Sequence, residues 1–136
     1  MTRRGRAAGL GVALCVLVVA AAVAAGAAPG VGDPARGEAI YARCQACHAL
    51  AYDRTGPHHC GLFGRRAGSV PGFTYSPAMV RSGIVWNGST LDRFLTNPTR
   101  MVPGTLMGYA GIADPQERAD LIAWLRQATV SGECAH

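Results

Sequence analysis

Apolar and polar positions divide the chain into two unlike regions. From about Ala7 to Ala28 an Ala/Val/Leu-rich run continues without an acidic residue, directly after Arg3, Arg4 and Arg6. Beyond it, apolar residues come in short groups at helical spacing, separated by Gly and Pro. Asp33 is a good N-cap with Pro34 in the first helical position, and Ala39, Ile40 and Tyr41 follow as the apolar part of a first helix. Ser76-Pro77 opens a short helix that Gly83 ends. Ser89-Thr90-Leu91-Asp92 reads as a variant capping box, and Leu91, Phe94 and Leu95 form an i, i+3, i+4 face that stops before Pro98. The clearest helix starts at Asp114-Pro115-Gln116-Glu117, which combines an N-cap, a first-turn Pro and an acid at N3. Leu121, Trp124, Leu125 and Ala128 then make one stripe. The stretch from Asn97 to Leu106 is rich in Pro, Gly and Thr and is expected to be a non-helical loop. No strand alternation or internal repeat is visible, so the expectation is a small all-α domain with Gly/Pro-rich loops.

The front segment has the order of a secretory signal peptide: a basic start, an apolar stretch such as Leu14-Cys15-Val16-Leu17-Val18-Val19, then small residues. Cleavage is expected near Ala25-Gly26-Ala27 or Ala28; retention as a membrane anchor is the alternative, since the run approaches bilayer-spanning length. Residues 1–28 are therefore read as a leader or an uncleaved anchor, and 29–136 as one domain. The 136-residue chain carries a formal charge of +5, but removing three leader arginines leaves a charge of about +2. The remaining arginines are scattered rather than gathered in a stripe, so nucleic acid is set aside as a partner. A domain this short, with so little regular structure, has a thin core that a large apolar cofactor would help complete.

Of the five cysteines, Cys15 lies in the leader, leaving Cys44, Cys47, Cys60 and Cys134. Cys44-Gln45-Ala46-Cys47-His48 has the C-x-x-C-H spacing that lets two thiols add to the vinyl groups of one haem while the adjacent imidazole reaches its iron. Three other readings compete at this point. Cys44 and Cys47 could bind zinc with His58, His59 or Cys60; they could be a thioredoxin-like redox pair; or they could form a plain disulfide. If haem is bound for electron transfer, the second axial ligand should be a soft donor far along the chain. Met107 is the choice, because its loop can wrap over a haem face, with Met79 and Met101 as rivals.

Together these residues resemble the class I c-type cytochromes, in particular the branch containing mitochondrial cytochrome c and its bacterial relatives. The similarity runs from about Gly37 to Ala128. It rests on Cys44-Gln45-Ala46-Cys47-His48, Gly56-Pro57, Gly61-Leu62-Phe63-Gly64-Arg65, Pro71-Gly72-Phe73-Thr74-Tyr75, Gly83-Ile84-Val85-Trp86, Asn97-Pro98, Pro103-Gly104-Thr105-Leu106-Met107 and Asp120-Leu121-Ile122-Ala123-Trp124-Leu125. The resemblance implies a small cytochrome c fold, with N- and C-terminal helices crossing and loops wrapped round one covalent haem c. It implies His48 and Met107 as axial ligands, and Pro57 as acceptor of the proximal imidazole N–H. Arg65, Tyr75, Trp86 and Thr105 match positions that hold the haem propionates. Gly37 and Tyr41 match positions where the first helix crosses the last.

The departures from the pattern are specific. Phe94 stands where the family often has Tyr, Met79 where it often has Asn, and Tyr109 keeps an aromatic at the haem edge. None of the thirteen basic residues is Lys, so docking to the family's usual acidic partners is in doubt, as is its exchange of Met for a Lys amine at high pH. Arg stays protonated and cannot substitute. Cys60 and Cys134 are left after the haem thioethers and are expected to pair as a disulfide, since the resemblance brings the Cys60 loop near the end of the C-terminal helix. The expected function is a soluble single-haem electron carrier of an exported respiratory or dehydrogenase chain, in a bacterial periplasm, and not an enzyme. Its partners would be redox proteins such as a dehydrogenase, respiratory complex or oxidase, with membrane contact only through partners or an uncleaved leader. The alternative is a haem peroxidase or small-ligand-binding protein with Met107 displaced, for which His58 and His59 are unassigned.

Overall fold

Asp33 accepts a hydrogen bond from the Ala35 N–H at 2.9 Å, and Pro34 fills the first turn, so the chain enters helix α1 (Pro34–Tyr41) where the local signal places it. The computed structural model describes residues 30–135; the expected leader and its cleavage site lie outside the described residues. Helix α2 (Pro77–Arg81) is capped by Ser76, whose hydroxyl accepts from the Met79 N–H, and is followed by Gly83 at φ +68°. Helices α3 (Gly88–Thr96), α4 (Pro98–Met101) and α5 (Pro115–Ala128) follow, with a short 3-10 turn at Gly132–Cys134. There is no β-strand among the described residues, only an antiparallel bridge between Arg66 and Val85.

Three local expectations need correction. The cap of α3 is Asn87, not Ser89: the Asn87 side chain accepts from the Thr90 N–H, and the Thr90 hydroxyl accepts from the Asn87 N–H, both at 2.9 Å. Asn is as good a cap as Ser, and its reciprocal partner here is a Thr rather than Glu or Gln. The stretch after Asn97 is not wholly loop. Asn97 accepts from the Arg100 N–H at 2.9 Å and Pro98 supplies the first turn, which makes one turn of helix before Pro103-Gly104 stops it. At α5, Asp114 accepts from the Gln116 and Glu117 N–H groups, but Glu117 does not reach back to close a box. Its carboxylate instead receives both terminal nitrogens of Arg43, at 2.8 and 2.9 Å.

Helix α1 lies across α5, and Gly37 is the point of closest approach. A Cβ built there would stand 2.7 Å from both the Asp120 carbonyl carbon and the Trp124 Cβ. Ile40 and Tyr41 then pack with Leu121, Ile122 and Leu125 of α5 and with Leu91, Phe94 and Leu95 of α3 in one core. Each such side chain contributes roughly 1.5–3 kcal/mol when fully buried. Asp120 at this crossing, and Arg118, which faces α3 and the segment before α5, are also buried, at 2% and 8% exposure. Asp120 accepts from the Asp33 N–H and the Arg36 Nε at 2.7 Å and from the Gln116 amide at 2.9 Å. Arg118 donates to the Ile112 and Ala113 carbonyls and to Asp92. Both ions are thus matched at nearly every polar atom, which is what burial requires.

Candidate functional site

The segment leaving α1 coils through tight turns: Cys44 N–H donates to the Tyr41 carbonyl at 2.8 Å, and Cys47 and His48 N–H both donate to the Cys44 carbonyl, at 3.0 and 2.9 Å. Cys44 is half-buried and Cys47 exposed, and both thiols are free. Burial pushes the Cys44 thiol up to about 11, so it is neutral at physiological pH.

His48 is held at one nitrogen. Its Nδ1 lies 2.8 Å from the Pro57 carbonyl, which can only accept, so Nδ1 carries the proton and Nε2 keeps the lone pair a metal needs. The turn that presents Pro57 depends on Gly56, where a Cβ would meet the His48 ring at 2.6 Å from Nδ1 and 2.7 Å from Nε2. Burial lowers the His48 pKa, with the Pro57 bond acting against it.

His59 is the site residue that sequence reasoning left without a role. It is half-buried, stacks on His48 with centroids 4.4 Å apart and planes 23° apart, and pairs through Nδ1 with the Tyr41 hydroxyl at 3.1 Å. Burial, with the nearby positive groups, presses its pKa down to about 3. His58 is bound to the Asp53 carboxylate at 2.7 Å. Neither histidine is therefore a spare acid or base facing a ligand from across His48.

The other named residues fall in two groups. Arg65 donates to the Cys60 and His58 carbonyls at 2.7 and 2.8 Å, which ties down the loop after Pro57 and leaves further guanidinium N–H groups uncommitted. Trp86 is positioned against it by the bridge (Trp86 N–H to Arg65 carbonyl, 2.9 Å) and packs on Phe94 with centroids 5.0 Å apart. Tyr75 is half-buried beside Phe73, and burial raises its phenol above the usual value. In the second group, the Thr105 hydroxyl accepts from the Met107 N–H at 3.2 Å and holds the loop that carries Met107, which is half-buried against the core. Leu106 between them is 79% exposed. Of the rival sulfurs, Met79 is buried within the core, while Met101 ends α4 and lines a cavity of about 370 Å³ with Arg81 and Arg93.

Cys60 and Cys134 are joined in a disulfide with Cα atoms 5.2 Å apart, across 74 residues of sequence. That pairing, with His58 on Asp53 and His59 on Tyr41, removes the partners a zinc site would need. No group of three or more His, Cys, Asp or Glu side chains is gathered among the described residues.

The donor set suits a covalently attached haem: two free thiols at fixed spacing, an imidazole whose Nε2 is left available, a sulfur on a distant loop, and half-buried apolar side chains against the core, Leu50, Phe63, Ile84 and Tyr109 among them. These features define a c-type cytochrome of the small, mostly helical class. Residues 34–129 match the cytochrome c family model. The chain is 44% identical over 120 residues to cytochrome c2 of Rhodomicrobium vannielii, covering 86% of this chain and 94% of that one. It is 46% identical over 102 residues to cytochrome c of Chlamydomonas reinhardtii, covering 72% and 91%. The solved cytochrome cH from Methylobacterium extorquens superposes with a TM-score of 0.68 at 40% identity, covering 70% of this chain and 98% of that one. This protein belongs to the cytochrome c family: it is a class I c-type cytochrome, an electron carrier rather than an enzyme, with covalent haem c as its cofactor and redox proteins as its partners.

Proposed function

We propose that the chain is a single-haem, His/Met-ligated carrier of an exported bacterial electron-transfer chain, working in the periplasm after residues 1–28 have directed its export. Cys44 and Cys47 form the thioethers, and His48 and Met107 are the axial ligands. Arg65, Tyr75, Trp86 and Thr105 hold the propionates, whose buried charge needs donors. The haem supplies a one-electron iron couple when bound. The observation that carries this reading is the Pro57 carbonyl at His48 Nδ1, which frees Nε2 and raises its basicity as a ligand.

The chain's own residues then do three things. Pro57 holds the Nδ1 edge of the His48 ring, and Gly56 leaves room for the ring beside that turn. Thr105 holds the Met107 loop closed. Phe94 and Met79, both buried, keep water from the pocket and so limit reorganisation on electron transfer. Leu106 and Cys47 lie exposed, giving partners apolar side chains on which to dock.

The test is the optical spectrum of the protein made in a host with haem-attachment machinery. A low-spin spectrum with the weak long-wavelength iron–methionine band, unaltered on short exposure to cyanide or carbon monoxide, is expected. Met107→Ala should abolish the band and bind those ligands at once. An open high-spin iron in the unaltered protein would refute the reading and favour ligand binding or peroxidase chemistry. Mass analysis of the periplasmic product tests cleavage near Ala28.

A further inference from the structure

A ligand imidazole held only at Nδ1 can still swing about the line from that nitrogen to its acceptor. In this chain a second contact lies against the ring face. We propose that His59 is a positioning residue for His48: its ring, anchored by the Tyr41 hydroxyl, stacks on the His48 imidazole and sets that ring's rotation about its bond to the iron. This rests on the reading of His48 as the proximal ligand.

Three observations carry it. The rings are 4.4 Å apart and 23° from parallel, within the range of an offset stack. His59 is itself immobilised at both ends: its backbone N–H donates to the Ala49 and Leu50 carbonyls at 3.2 and 3.0 Å, its Nδ1 meets the Tyr41 hydroxyl, and the next residue is in the disulfide. Tyr41 is in turn 2% exposed and lies against Trp124, with centroids 4.4 Å apart. The packing of α1 on α5 is thereby transmitted through Tyr41 and His59 to the ligand ring. A structural filler alone would be better served by an aliphatic side chain, because burying an imidazole costs desolvation that one hydrogen bond only partly offsets.

The ring plane of an axial imidazole selects which iron d orbital holds the unpaired electron, so it is read directly by the hyperfine-shifted haem methyl resonances of the oxidised protein. The experiment compares proton NMR and midpoint potential for holoprotein with His59→Leu, His59→Phe and Tyr41→Phe, with circular dichroism to check folding. His59→Leu should change the order or spread of the methyl shifts and move the potential. His59→Phe should recover the wild-type pattern, since a planar ring restores the stack, and Tyr41→Phe should give a smaller change in the sense of the Leu variant. A Leu variant with the wild-type pattern overturns the proposal, and so does a Phe variant that behaves like Leu, which would point to polarity instead of stacking. If the Leu variant does not accumulate as holoprotein, an unchanged pattern in Tyr41→Phe overturns it. The unaltered protein separates the two readings: His/Met spectra with unresponsive His59 and Tyr41 variants refute this proposal alone, whereas loss of no ligand band on replacing His48 refutes both.

Discussion

Replacing Gly37 with Ala tests whether the α1–α5 crossing holds the domain together. The added methyl would sit 2.7 Å from the Trp124 Cβ and from the Asp120 carbonyl carbon, where carbon atoms rest at about 3.5–4.0 Å. The nearest atoms include α5 backbone, which has no rotamer to turn aside, so the helices must separate by about 1 Å. Overpacking of this kind costs about 1–3 kcal/mol, and the shift also stretches the bonds that Asp120 accepts from Asp33 and Arg36. Against this, Ala in a helix is favoured over Gly by about 0.5–1 kcal/mol. The net loss is about 1 kcal/mol, and for a domain of this size that lowers Tm by about 4–8 °C. Guanidinium unfolding of the oxidised holoprotein, followed by far-ultraviolet circular dichroism, measures it. Glu38→Ala, exposed on the same helix, is the control and should stay within about 0.5 kcal/mol of wild type. A Gly37→Ala protein as stable as the control would refute the close crossing.

Asp120 is held well below the usual carboxylate range, first by Arg36 and then by the Asp33 N–H. The unfolded chain therefore takes up a proton near pH 4 that the folded chain refuses; the stabilisation is complete above about pH 4 and is lost as pH falls further. Asp120→Asn should be less stable at pH 7 and show a shallower loss between pH 5 and 3, and an unchanged slope in denaturant titrations would contradict this. Arg118→Met strips the Ile112 and Ala113 carbonyls of their donor and should cost about 2–3 kcal/mol in the same unfolding assay. Reducing the Cys60–Cys134 bond, which closes 74 residues, should cost up to about 4 kcal/mol, less to the extent that haem already orders the chain. Two reactive thiols in denatured, unreduced holoprotein would show that the bond is absent in solution. Any high-pH form should lack an ordinary lysine-ligated spectrum, because the chain has no Lys; a primary-amine signature surviving N-terminal acetylation would disprove this.

Signals that act within one helical turn were legible before the fold was known. Asp33-Pro34, Ser76-Pro77 and Asp114-Pro115 each start a helix where their chemistry places it, since a cap satisfies N–H groups two or three residues away. The Cys44, Cys47 and His48 spacing is likewise a local statement. The errors are local too: Asn87 with a Thr partner, and Asn97-Pro98 opening a helix inside a Gly/Pro-rich stretch, are weaker versions of the same code.

Composition and short-range pattern thus determined an α-helical domain, its helix starts and the residues able to attach a haem. The tertiary structure alone decided that Asp120 and Arg118 are buried, that Glu117 serves Arg43, and that His59 lies against His48 under Tyr41. Arg118 and Asp120 are charged residues that chemistry alone would assign to solvent, although they stand three and four residues before Leu121 and Trp124 of the apolar stripe. Their burial is made favourable by partners that can lie far off in sequence: Asp33 is 87 residues from Asp120, and Asp92 is 26 from Arg118. A hydrogen-bond partner at that distance leaves no mark on local periodicity, because the cost of burying a charge depends on what the fold brings to it and not on its neighbours in the chain.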